Sequence, residues 1–111
     1  SCFGETTLGG LLKKPIPICG VLGDSHGALF GHNCRKKGGI KATYGTGSSV
    51  MLNTGEQKTV SKHGLSTSIA WKVGGQVSYV LEGNINYTGA VISWLKDEMG
   101  LIRSAGESEA L

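Results

Sequence analysis

Three short stretches combine glycine with a side chain that can do chemistry. They are Gly23-Asp24-Ser25-His26, Gly45-Thr46-Gly47-Ser48, and Glu82-Gly83-Asn84 with Gly89 beyond it. The first follows the apolar run Ile18-Cys19-Gly20-Val21-Leu22, a pattern that presents a carboxylate where a buried strand stops and a helix begins. Read alone, the stretch is first an Asp24 or Ser25 helix N-cap, which needs no active site. The second stretch is a glycine-bracketed turn, whose successive backbone N–H groups form a concavity suited to phosphate, with Thr46 adding a hydroxyl. Its plain alternative is a hairpin turn that needs positive φ. Gly89 lies where the first turn of a helix is expected, and free amides there favour an anion. The plain alternative is a small residue for helix–sheet packing.

Several chemistries are disfavoured. Gly45-Thr46-Gly47 is not a dinucleotide fingerprint, because a strand and not a helix follows it, and no Gly-Lys-Ser or Gly-Lys-Thr of a Walker loop occurs. Gly23-Asp24-Ser25 resembles the block of the Gly-Asp-Ser serine esterases, but such an enzyme needs a distant histidine with an acidic partner. His32 and His63 have no aspartate at that spacing, and His26 adjoins the serine. His26 and His32 would lie about 120° apart on a helix, so with Cys34 they do not converge on a metal, and no metal site is expected.

Composition sets the frame. The 111 residues are 39% hydrophobic and 17% charged, which fits one globular core and excludes a disordered or fibrous chain. The three cysteines are odd in number and without CxxC spacing, pointing to reduced thiols in a cytoplasmic protein. A net charge of +3, concentrated at Arg35-Lys36-Lys37, is too little to imply nucleic acid. No apolar run approaches the ~20 residues of a membrane span. The chain opens on Ser1 without Met and is expected to be a piece of something longer.

The elements that must hold these residues follow in order. Residues 1–14 read as a connector, ended by Lys13-Lys14-Pro15. A buried strand is expected at Ile18–Leu22 and a helix over 25–37, with Gly27, Gly31 and Cys34 as a thin face against a sheet. Gly38-Gly39 would stop that helix. Ile40–Tyr44 and Ser48–Asn53 alternate as a hairpin around Gly45-Thr46-Gly47, and Leu65–Val73 and Val77–Leu81 form a second hairpin around Gly74-Gly75. Thr88, Val91, Ile92, Leu95, Met99 and Ile102 then make an amphipathic helical stripe facing a core. Trp71 and Trp94 are expected as core or partly buried anchors. The tail from Ser104 reads as the cap of a further helix. The order predicts an α/β fold, of α+β type with a mixed sheet.

Five ordered blocks carry a resemblance. They are Gly23-Asp24-Ser25-His26-Gly27-Ala28-Leu29-Phe30-Gly31, Lys41-Ala42-Thr43-Tyr44-Gly45-Thr46-Gly47, Met51-Leu52-Asn53-Thr54-Gly55, Gly64-Leu65-Ser66-Thr67-Ser68-Ile69-Ala70-Trp71, and Tyr79-Val80-Leu81-Glu82-Gly83 running on to Ser93-Trp94-Leu95-Lys96-Asp97. In this order the chain resembles the FGGY carbohydrate kinases, and within them the glycerol kinase branch.

The resemblance implies part of a ribonuclease-H-like, actin-like ATPase domain, with 15–111 the N-terminal portion of the kinase's C-terminal domain. It implies ATP and Mg²⁺, a sugar or polyol substrate in a cleft between two domains, and an N-terminal kinase domain beyond this chain. Asp24 matches the catalytic base and, with Ser25, a substrate contact. Gly45, Thr46 and Gly47 match the phosphate hairpin, and Gly89 and Ser93 match nucleotide contacts. Ser25 and Ser93 stand where glycerol kinases carry glutamine, so glycerol is not singled out. Alone, the chain is expected to be inactive, and its uncovered apolar faces predict a homo-oligomer. A Gly-Asp-Ser esterase and a non-catalytic binding module on the kinase fold are the alternatives.

Overall fold

The computed structural model describes residues 2–110; Ser1 of the predicted connector, and Leu111, lie outside the described residues. Two short strands, β1 (Glu5–Thr6) and β2 (Ile16–Pro17), pair antiparallel ahead of helix α1 (Asp24–Gly31). Four longer strands follow: β3 (Ile40–Tyr44), β4 (Ser48–Gly55), β5 (Ser66–Val73) and β6 (Gln76–Ile85). Helix α2 (Gly89–Asp97) and a 3₁₀ turn at Ala105–Glu109 complete the chain. The four strands form one sheet in the order β3-β4-β6-β5, antiparallel at every junction.

The α+β class and both hairpins are borne out, but the sheet expected to be mixed is wholly antiparallel, because its strands are joined by hairpins or lie beside a hairpin partner. Gly74 and Gly75 have φ of 58° and 87°, the left-handed pair that a tight two-residue hairpin demands. Lys41, Met51 and Glu82 are register partners across three strands. On this face Leu29 of α1 meets Met51, Ala70 and Val80, all essentially inaccessible, with Cys34 and Trp71 packed at the margin. Phe30 stands edge-on to Trp71 at 5.1 Å, and the Arg35 guanidinium lies 4.2 Å above the Phe30 ring. Asn53, fully buried, donates to Cys34 O at 2.9 Å and accepts from Gly55 N at 2.7 Å. Its backbone pairs with Gly38 and Gly39, so the loop after α1 is tied to β4.

Several expectations need correction. The strand at Ile18–Leu22 is absent: beyond Ile18, which pairs with Phe3 and Gly4, the backbone finds no neighbouring strand, and Val21 and Leu22 are exposed. That same pairing draws part of the predicted connector into the β1–β2 ribbon.

Helix α1 stops at Gly31, six residues early. Asn33 takes φ 60°, Cys34 N donates to Leu29 O and Asn33 N to Phe30 O, which completes a Schellman stop before Gly38 is reached. The face against the sheet is carried by Leu29, not by Gly27 and Gly31. A Cβ on Gly27 would meet only Leu22 at 3.8 Å, and one on Gly31 would meet nothing.

The stripe of α2 does not enter the sheet core. The helix ends at Asp97, Val91, Trp94 and Met99 are exposed, and Ile92 and Leu95 are half-buried. Only Ile102, beyond the turn at Gly100 (φ 63°), is buried. The tail forms a 3₁₀ turn, not an α-helix start, with Glu107 Oε2 accepting from Arg103 N at 2.6 Å.

Candidate active site

The hairpin turn and the start of α2 are locked together. Gly45 O accepts from Gly89 N at 3.0 Å and from the Thr88 hydroxyl at 3.0 Å, while Thr46 O accepts from Thr88 N and Ala90 N at 3.0 and 3.1 Å. Beneath them the Ser48 and Thr88 hydroxyls meet at 2.8 Å. Gly47 and Gly89 are required by proximity and not by φ. A Cβ on Gly89 would lie 2.6 Å from Gly45 O, and one on Gly47 would lie 2.9 Å from Asn86 O. Neither Gly45 nor Gly47 has positive φ, so the plain turn explanation does not account for them.

These bonds also redistribute the donors. The first amides of α2 are taken by hairpin carbonyls, so that helix start offers no free anion site. The amides of Gly45, Thr46 and Gly47, by contrast, make no hydrogen bond among the described residues, and neither does the exposed Thr46 hydroxyl. The unbonded donors therefore sit on the turn. Ser93 is one helical turn past Gly89, and its hydroxyl bonds back to Gly89 O at 3.4 Å.

Asp24 is the first residue of α1 and is exposed. The N-cap position belongs to Gly23, which has no side chain to cap with, and Asp24 Oδ1 accepts from Ser25 N at 2.6 Å. The Ser25 carbonyl in turn accepts from Lys41 Nζ at 3.5 Å, and Lys41 is 6% exposed. His26 Nε2 bonds the Ser68 hydroxyl at 3.1 Å, which ties this turn to β5. No histidine reaches Ser25 among the described residues, so the relay of a serine esterase is not assembled there.

A cavity of about 380 Å³ joins the two halves of the site: Ser25 lines it from α1, Gly47 from the hairpin, and Thr43, Ser48, Ser49 and Asn84 from the strands. Asp24 adjoins Ser25 without lining the cavity, while Gly45, Thr46, Gly89 and Ser93 stand at the hairpin side. Lys41 and the Ser48–Thr88 pair were not picked out as site residues from the sequence. Lys41 had one signal, being the sole charge in an otherwise uncharged strand.

Comparison with known proteins supplies the family. A profile of the FGGY family of carbohydrate kinases, C-terminal domain, matches residues 40–111. The chain belongs to that family. Glycerol kinase from Desulfitobacterium hafniense is 50% identical over 107 residues, covering 96% of this chain and 22% of the relative. Glycerol kinase from Paraburkholderia phymatum is 51% identical over 101 residues (91% and 20%), and that from Burkholderia cenocepacia 52% over 109 residues (98% and 22%). This FGGY chain thus spans about a fifth of the length of these relatives. Membership of the FGGY family carries the ribonuclease-H-like, actin-like ATPase fold. Among the described residues no helix is long and apolar enough to cross a membrane, and no three His, Cys, Asp or Glu residues gather as a metal site.

Proposed function

We propose that this chain forms one wall of the catalytic cleft of an ATP-dependent carbohydrate kinase acting on a polyol or ketose. The observation that carries the proposal is the cavity shared by Ser25 and Gly47, which are the chain neighbours of Asp24 and of the unbonded Thr46 amide. Phosphoryl transfer asks a protein mainly to position its reactants and to stabilise charge. A carboxylate and a set of unbonded amides are the groups that meet those two demands.

In this proposal Asp24 accepts the proton of the attacking hydroxyl as its oxygen bonds the γ-phosphorus and the bond to ADP breaks. The hydroxyl becomes acidic only as that bond forms, so a well-placed carboxylate suffices to take its proton. Gly45, Thr46 and Gly47 hold phosphate oxygens, and Gly89 lets the hairpin close on α2 with Ser93 beside the nucleotide. Ser25, shorter than a glutamine, leaves room for a substrate longer than glycerol. Mg²⁺ carried with ATP would supply neutralising charge at the transferring group, and such an ion does not require a dedicated cluster of protein ligands. The enzyme is cytoplasmic, self-associating and completed by an N-terminal kinase domain. Neither nucleic acid nor a membrane is a partner.

The test is ADP formation by the full-length polypeptide with glycerol, erythritol, xylulose and ribulose. Activity on at least one of them, lost by about 10²–10⁴-fold in Asp24→Asn, is expected. Full activity in that variant overturns the assignment of the base. ADP formation by the isolated 111 residues, lost in the same variant, overturns the claim that they form only one wall.

A further inference from the structure

Lys41 stands out once the rest of the site is assigned. It is the one buried residue of β3, 6% exposed, with fully buried Met51 as its register partner. Burying an ammonium is costly unless an opposing charge or several acceptors receive it. Here no carboxylate lies within ion-pair distance among the described residues, and the partner found for Nζ is the Ser25 carbonyl at 3.5 Å. That distance is at the long end for a hydrogen bond, and one neutral acceptor offsets only part of the cost of burying the charge. A lysine kept there for stability alone would be better replaced by an apolar side chain of similar length.

What the ammonium does reach is the peptide unit next to the carboxylate of the proposed base. Asp24 Oδ1 holds the Ser25 N–H at 2.6 Å, and Lys41 holds the Ser25 carbonyl. Ser25 is therefore gripped at both its donor and its acceptor, once by the base and once by the sheet. His26 adds a second tether through Ser68 on β5. Lys41 is the only cationic side chain in this arrangement, and it approaches from beneath the turn, outside the cavity lining.

We infer that Lys41 is a positioning residue, resting on the kinase reading above, that fixes the Asp24–Ser25 turn through the Ser25 carbonyl and so orients the base towards the substrate hydroxyl. Displacing a reacting group by about 1 Å can cost on the order of 100-fold in rate without changing what binds. The phosphate-binding turn is built by different contacts, between the 45–47 hairpin and α2. Loss of Lys41 should therefore separate kcat from nucleotide binding.

The experiment compares Lys41→Met and Lys41→Arg in the full-length polypeptide, after the parent has shown kinase activity. A parent without activity fails the kinase reading itself and is a distinct result. Lys41→Met removes the charge at nearly constant volume. Its expected phenotype is kcat lowered roughly 100-fold, KM for ATP within about 2-fold of the parent, and a melting temperature unchanged or raised. Lys41→Arg, which keeps a cationic donor, is expected to recover at least about 10-fold of that loss. The inference is overturned if Lys41→Met keeps kcat within about 3-fold. It is equally overturned if the loss follows the unfolded fraction in thermal melts, or if folded Lys41→Arg is no more active than Lys41→Met.

Discussion

The Gly89 amide donates to Gly45 O at 3.0 Å, and a Cβ on Gly89 would stand 2.6 Å from the same oxygen. One carbonyl thus satisfies the start of a helix and forbids a side chain there. The contact joins residues 44 positions apart, and it turns a glycine-rich hairpin into a fixed donor set whose own amides remain open.

Gly89→Ala should therefore break the junction between hairpin and helix. The clash is with backbone, so relief requires α2 to move, at a cost of roughly 1–3 kcal/mol. Urea denaturation is expected to show that loss, with weaker ATP binding by the full-length protein. Gly31→Ala is the control. A Cβ there meets nothing and the residue is helical, so stability should hold or rise by a few tenths of a kcal/mol.

Asn53 provides a second test. Replacing it with alanine strands Cys34 O and Gly55 N, both partners of its fully buried side chain. Each stranded group costs about 1–3 kcal/mol, so a total of roughly 2–6 kcal/mol is expected in chemical denaturation. Asn53→Asp keeps the acceptor for Gly55 N but turns a carboxylate towards the Cys34 carbonyl, and should be at least as destabilising.

The stop of α1 can be tested at Asn33. Its φ of 60° suits glycine, and the residue is exposed. Asn33→Gly should change stability by less than about 0.5 kcal/mol, whereas Asn33→Val should cost about 1–2 kcal/mol, since a β-branched residue resists this conformation. Amide exchange at Cys34, whose N–H closes the motif on Leu29 O, should quicken in the valine variant alone.

The apolar surface predicts association. The chain's radius of gyration is 19.5 Å, against about 13 Å for a compact domain of this length. Val21, Leu22, Trp94 and Leu101 are all about half exposed or more. Analytical ultracentrifugation of the isolated 111 residues should show concentration-dependent self-association at micromolar levels. The full-length protein, if those faces are covered within it, should show less dye binding per residue.

How far the sequence could be read depends on the range of the interaction that decides each element. The hairpin at Gly74-Gly75 was legible because two adjacent glycines select a turn whatever lies around them. The strands on either side were legible because alternation reports a face, even before the opposite face is known. At α1 the double glycine at 38–39 outweighed Asn33, although asparagine also tolerates the left-handed region and stood nearer the helix. Ile18–Leu22 has strand composition, but a strand exists only with a neighbour, and composition does not supply one.

From the sequence alone came the α+β order, the two hairpins, Asp24 at the head of a helix, and five family blocks in register. These rest on local backbone preference and on residue identity, which the chain carries without folding. Only the tertiary structure decided why Gly47 and Gly89 must be glycine, that hairpin carbonyls consume the amides of α2, and that Asn53 and Lys41 are buried. Each of these depends on atoms far apart in the chain being brought within a few ångströms. No pattern along the chain records that distance.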